Sequence, residues 1–117
     1  MEFSFSPTSI DTSAAPQTIT VTARITDDLA GFYDGAVYFY SPSLGQSAHA
    51  GFGPSNRVSG TDLDGTYKDS MTVRKFSEQG TWAVRNANWV DNASNRAELS
   101  TADLVAMGFP TTFYNGP

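Results

Sequence analysis

A chain of 117 residues, 39% apolar and 13% aromatic, is sized for one domain around one core. It has no cysteine, which excludes disulfides and thiolate metal sites, and its net charge of −5 excludes the basic face that nucleic acid requires. No apolar run approaches the roughly 18 residues of a membrane-spanning helix, and Met1-Glu2-Phe3 has neither the basic start nor the apolar stretch of a signal peptide. With its content of Thr, Ser, Asn and Gly, the chain reads as a secreted or cell-surface module belonging to a longer exported protein.

Strand signals come first and dominate. A short strand is expected at 3–6, followed by a loop from Pro7 to Pro16. Residues 18–26 then alternate strictly: Ile19, Val21, Ala23 and Ile25 point one way, threonines and Arg24 the other. That period of two marks one half-buried strand of an antiparallel sheet. Residues 36–41 repeat the pattern, with Val37 and Phe39 inward and Tyr38 and Tyr40 outward. Further strands are expected at 46–52, 66–73, 80–90, 95–99 and 110–114. Turn clusters separate them, among them Asp34-Gly35, Leu44-Gly45, Gly53-Pro54, Asp64-Gly65 and Asp91-Asn92. Ser100-Thr101-Ala102-Asp103 has the form of a capping box, followed by an apolar tetrad and a stop at Gly108, so one helical turn is expected there. The whole is an all-β, two-sheet antiparallel β-sandwich with one short helical turn near the C-terminus, spanning 1–117 as a single module.

The acids are not spread evenly, and six of the twelve fall in three loops: Asp27, Asp28 and Asp34; Asp62 and Asp64; and Asp91, with Asn92 and Asn95. Each chain reversal in an antiparallel sandwich swaps ends, so these loops are expected at one end. Calcium takes six to eight oxygens of this kind, and a divalent ion would relieve the repulsion among the carboxylates. The expected ligands are Asp27, Asp28, Asp62, Asp64, Asp91 and Asn95. The plainer reading is that Asp-Gly and Asp-Asn are turn residues bonding their own backbone.

Ile25-Thr26-Asp27-Asp28-Leu29-Ala30-Gly31, Tyr40-Ser41-Pro42-Ser43, Ser59-Gly60-Thr61-Asp62-Leu63-Asp64-Gly65-Thr66-Tyr67, Gly80-Thr81-Trp82-Ala83-Val84 and Val90-Asp91-Asn92-Ala93-Ser94-Asn95 resemble a bacterial immunoglobulin-like module of exported proteins. Modules of this kind accompany polysaccharide-degrading enzymes or form tandem arrays. The resemblance implies an immunoglobulin-like sandwich, extracellular location, no catalytic activity and frequently a calcium ion, with Asp27, Asp28 and Asp91 as its leading ligands. Ala93-Ser94 departs from the pattern, in which a glycine commonly follows the alanine. So do Tyr38 and Tyr40, which stand where such modules usually carry threonine or a charged residue.

Phe39, Phe52, Phe76, Trp82 and Phe113 are expected in the core. Tyr38 and Tyr40 are expected outside it, about 7 Å apart on one face, a spacing that lets two rings lie under successive parts of a sugar chain. His49 on the neighbouring strand and Tyr33 on the adjacent loop extend that candidate ligand-binding set. Trp89 completes it if alternation runs unbroken from Trp82, whereas a bulge near Asn86 turns it inward. Cross-strand tyrosine pairing needs no ligand and is the plainer alternative. His49 is the sole histidine and has no Ser–Asp arrangement around it, so a triad is not supported.

Two readings from different classes follow. One is a non-catalytic carbohydrate-binding module that recognises plant-type β-glucan through exposed rings and is stapled by calcium. The other is a structural immunoglobulin-like spacer or adhesin repeat, stiffened by the same ion.

Overall fold

The computed structural model describes residues 2–26 and 31–116. Among these residues ten strands form: β1 (Glu2–Ser6), β2 (Ser9–Ile10), β3 (Gln17–Thr26), β4 (Phe32–Tyr40), β5 (Ser47–Phe52), β6 (Arg57–Gly60), β7 (Asp64–Val73), β8 (Gly80–Asp91), β9 (Arg96–Leu99) and β10 (Thr112–Asn115). Among the described residues one α-helix, α1 (Thr101–Ala106), lies between β9 and β10. Its capping box is realised: the Asp103 N–H donates to the Ser100 hydroxyl, while the Ser100 N–H donates to the Asp103 carboxylate.

The strands divide into two sheets, one in the order β1-β3-β7-β6, the other β2-β10-β8-β4-β5 with β9 also paired to β8. That division of strands is the immunoglobulin arrangement. All pairings are antiparallel except β10 with β2, which is parallel. β2 falls inside the segment expected to be loop; its two residues leave no room for a periodic signal. β6 went unpredicted for a different reason, since all four of its residues are exposed and it carries no apolar alternation.

The alternating residues meet between the sheets. Ile19, Val21 and Ile25 of β3 face Val37, Phe39 and Val84 across a layer filled by Phe5, Tyr67, Trp82 and Phe113. Rings stack there: Trp82 lies against Phe113 at 5.5 Å and 23°, and Phe39 meets Phe5 edge-on at 5.0 Å. The Trp82 indole N–H donates to the Glu78 carbonyl at 2.9 Å, so its one polar atom is satisfied at the core's edge.

Phe76 departs from its expected core position. It is 73% exposed, with φ 64 in the turn that ends β7, and the Lys75 ammonium lies 4.7 Å from its ring centre. Turn geometry, rather than alternation, sets its direction.

Candidate functional site: the outer face of the larger sheet

β4 is central in the larger sheet, between β5 and β8. Val37 and Phe39 are buried, whereas Tyr38 and Tyr40 are half-buried and lie on the outer face. In register, Tyr38 stands between His49 of β5 and Asn86 of β8, and Tyr40 between Ser47 and Ala83. The Tyr38 and His49 rings stack at 5.3 Å and 25°. The His49 side of Tyr38 is therefore occupied by the imidazole, and the pair forms one composite surface.

Two β-bulges shape this face. The first, between Phe32 and Asp34, inserts Tyr33 as an extra residue. Tyr33 is exposed, but it sits five positions from Tyr38, about 17 Å along an extended strand. The structure thus does not bring it together with the other rings.

The second bulge lies in β8. Val84 pairs with Phe39 and Asn86 with Tyr38, leaving Arg85 as the additional residue. The bulge resets the alternation, so that Ala87 and Trp89 face inward. Trp89 packs half-buried against the core beside Phe3, Ala23 and Ile25. Opposite it in register is Gly35, where a Cβ would approach the Trp89 Cβ to 3.0 Å and the Asn88 carbonyl oxygen to 2.8 Å. Trp89 accordingly leaves the ligand-binding set: the bulge, not the alternation from Trp82, decides its face.

Two outward residues had not been singled out. Arg85 is exposed on the bulge. Tyr114, 45% exposed, stands outward from β10 directly after buried Phe113. Both signals were available in the alternation, since Arg85 directly follows inward Val84 and Tyr114 directly follows inward Phe113.

At the opposite end of β4 from Tyr40, the expected convergence of acidic loops is present. The Phe32 N–H donates to the Asp62 carbonyl at 2.7 Å, and the Asn92 N–H to the Gly31 carbonyl at 2.9 Å. The Asn92 amide reaches the Asp62 carboxylate at 3.4 Å. Gly31, at φ 87, lies in the middle; a Cβ there would come within 2.5 Å of Asp62 Oδ2.

The individual carboxylates, however, are spoken for. Arg24 grips Asp64 with two parallel hydrogen bonds, 3.0 and 2.8 Å, and this holds the Asp64 carboxyl below the usual carboxylate range. Asp91 is held low by the Asn95 side-chain amide first, then by the Asn95 and Ala93 N–H groups. Asp91 and Asn95 therefore close their own turn, as the plainer sequence reading had it. Asp27 and Asp28 lie outside the described residues. Among the described residues no group of three or more carboxylate or histidine side chains is placed to hold a metal.

Fold and face together define an immunoglobulin-like β-sandwich with an aromatic patch on its larger sheet. Residues 1–115 match a family described as a domain of unknown function (DUF7035), and the chain belongs to that family. Comparison with curated proteins and with solved structures gave no match.

Proposed function

We propose that this domain is a non-catalytic, extracellular binding module whose ligand is a polysaccharide lying across the outer face of the larger sheet. The observation that carries this reading is the grouping of Tyr38, Tyr40 and His49 on one face. Asn86 and Asn88 border the patch, half-buried, and the side-chain hydrogen bonds of the described residues do not employ their amides. Rings of this kind offer their flat faces to the C–H faces of pyranoses, while amides bond the hydroxyls. The described face carries rings and amides, chemistry that holds a sugar chain rather than splits a bond. β-Glucan, the polysaccharide expected from the sequence, is the first probe.

Affinity electrophoresis against soluble β-glucan, xylan and mannan tests the reading. Retardation by at least one polymer, lost in the Tyr38→Ala, Tyr40→Ala double variant, is the expected result. Migration unchanged by every glycan sinks it.

A structural calcium ion is a separate proposal, narrowed by the geometry above. Its support is the meeting of three loops at Gly31, with the Asp62 carboxylate turned toward that point. With Asp64 and Asp91 engaged elsewhere, Asp62 is the described carboxylate that would hold the ion; Asp27 and Asp28, the other leading ligands expected from the sequence, lie outside the described residues.

A further inference from the structure

We infer that the sugar chain recognised on the outer face carries a carboxylate, and that Arg85 is the residue that reads it. This inference rests on the proposed polysaccharide reading and names the ligand's class at the same site.

The argument starts from the bulge. Val84 and Ala87 are both buried, and two residues rather than one separate them. Arg85 and Asn86 therefore both fall on the outer face, where unbroken alternation would have placed only one. Arg85 stands opposite the step from Tyr38 to Phe39, so it emerges beside the patch formed by Tyr38, Tyr40 and His49. The Thr101 hydroxyl donates to the Val84 carbonyl, and the Val84 N–H donates to the Thr111 carbonyl at 2.8 Å. Both anchor the backbone next to the bulge, so the arginine projects from a fixed point.

Position together with charge distinguishes Arg85: Arg57 and Arg74 also lack an ion pair among the described residues, but Arg57 lies on β6 of the smaller sheet and Arg74 in the turn after β7. Arg24 is paired with Asp64 and Glu2, and Arg96 with Glu98. Among the described residues no carboxylate forms an ion pair with Arg85. The net charge of −5 repels a polyanion as a whole, so attraction to a carboxylate-bearing sugar rests on this one local guanidinium. A guanidinium presents a planar fork that matches a carboxylate in bidentate fashion, which a neutral glucan does not offer. Aromatic rings that stack on pyranose faces beside one unpaired guanidinium form a site for a uronic or sialic type of sugar residue.

The test is affinity electrophoresis at low ionic strength, where exposed charge pairs are least screened. The probes are polygalacturonate, the same polymer fully methyl-esterified, polysialic acid and a neutral β-glucan. We expect retardation by one or both acidic polymers, reduced about tenfold in Arg85→Gln, the loss of one charge-assisted pair. Methyl esterification, which removes the charge and keeps the backbone, should reduce it equally. Whichever acidic polymer retards the protein identifies the sugar class. Arg85 is exposed, so the variant should keep the wild-type melting temperature, and that measurement is made alongside. Neutral β-glucan retarding the protein better than either acid, with Arg85→Gln indistinguishable from wild type, overturns this inference and leaves the polysaccharide reading standing. No retardation by any of the four overturns both.

Discussion

The side chain of Asn115 is wholly buried and clasps Thr12, 103 positions earlier in the chain. The Thr12 N–H donates to the Asn115 side-chain oxygen at 3.1 Å, and the Asn115 amide donates to the Thr12 hydroxyl at 3.0 Å. The same amide donates to the carbonyls of Ser77 and Glu78 at 3.2 and 3.0 Å. One side chain thereby ties the last strand, the segment after β2 and the turn leading into β8. A buried polar group in this position is stabilising only while all its partners are present.

Replacing Asn115 by Leu removes these bonds and leaves the buried Thr12 N–H and the Ser77 carbonyl without their partner, while the Glu78 carbonyl keeps the Trp82 indole N–H. The expected cost is about 2–4 kcal/mol, a fall in melting temperature on the order of 10 °C at this chain length. Thermal unfolding followed by far-ultraviolet circular dichroism measures it. A loss under about 1 kcal/mol would show that water replaces the amide and that the clasp is dispensable.

Acid should loosen the domain through four carboxyls. Asp11, Asp64, Glu78 and Asp91 are all held below the ordinary carboxylate range, by hydrogen bonds from Ser13, from Arg24, from Ser41 and Ser43, and from Asn95 respectively. A pKa lower in the folded than in the unfolded state gives stability that is complete at neutral pH. It is lost as pH falls through the folded values, below about 4. Arg24 is raised above an already high value and adds no slope in this range. The melting temperature should be flat from pH 8 to 5 and fall steeply from 4 to 2, with a shallower fall in Arg24→Gln. A melting temperature that rises on acidification would contradict the assignment.

The sandwich was legible because Ile19 to Ile25 and Val37 to Phe39 alternate with a period of two, and a one-sided hydrophobic face admits a single register. The convergence of acidic loops followed from counting chain reversals. What the alternation could not decide was whether the register slips, a bulge near Asn86 being one of the two alternatives it left open for Trp89. Asn86 and Trp89 exchange faces across the bulge at Arg85, and whether a bulge forms is fixed by the partner strand rather than by local composition. The pairing of Asp64 with Arg24 was hidden for a similar reason, because 40 positions separate the two residues. Phe76 looked like core by residue type, and the turn's backbone overruled it.

Chelation tests the calcium proposal without reference to any glycan. An ion at 100-fold excess over its dissociation constant contributes about 2.7 kcal/mol, which should appear as a drop of several degrees when chelator is added. Asp62→Asn should abolish that drop while leaving the Arg24–Asp64 pair intact. Superimposable melting curves with and without chelator would remove the ion from this end of the sandwich.

Trp89 and Tyr38 separate packing from binding. Trp89 faces the core opposite Gly35, so Trp89→Ala vacates part of the space beside Phe3, Ala23 and Ile25. For a half-buried ring the expected loss is about 2–3 kcal/mol, below the range for full burial. Glycan retardation measured well under the melting temperature should be unchanged, because the ring reaches nothing on the outer face. Tyr38→Ala gives up the stack on His49, worth about 1 kcal/mol, so the domain stays folded while retardation is lost. The two variants thus move opposite readouts. If Trp89→Ala abolished retardation in a domain that still melted cooperatively, the inward assignment of that ring, and the bulge at Arg85 on which it depends, would both have to be abandoned.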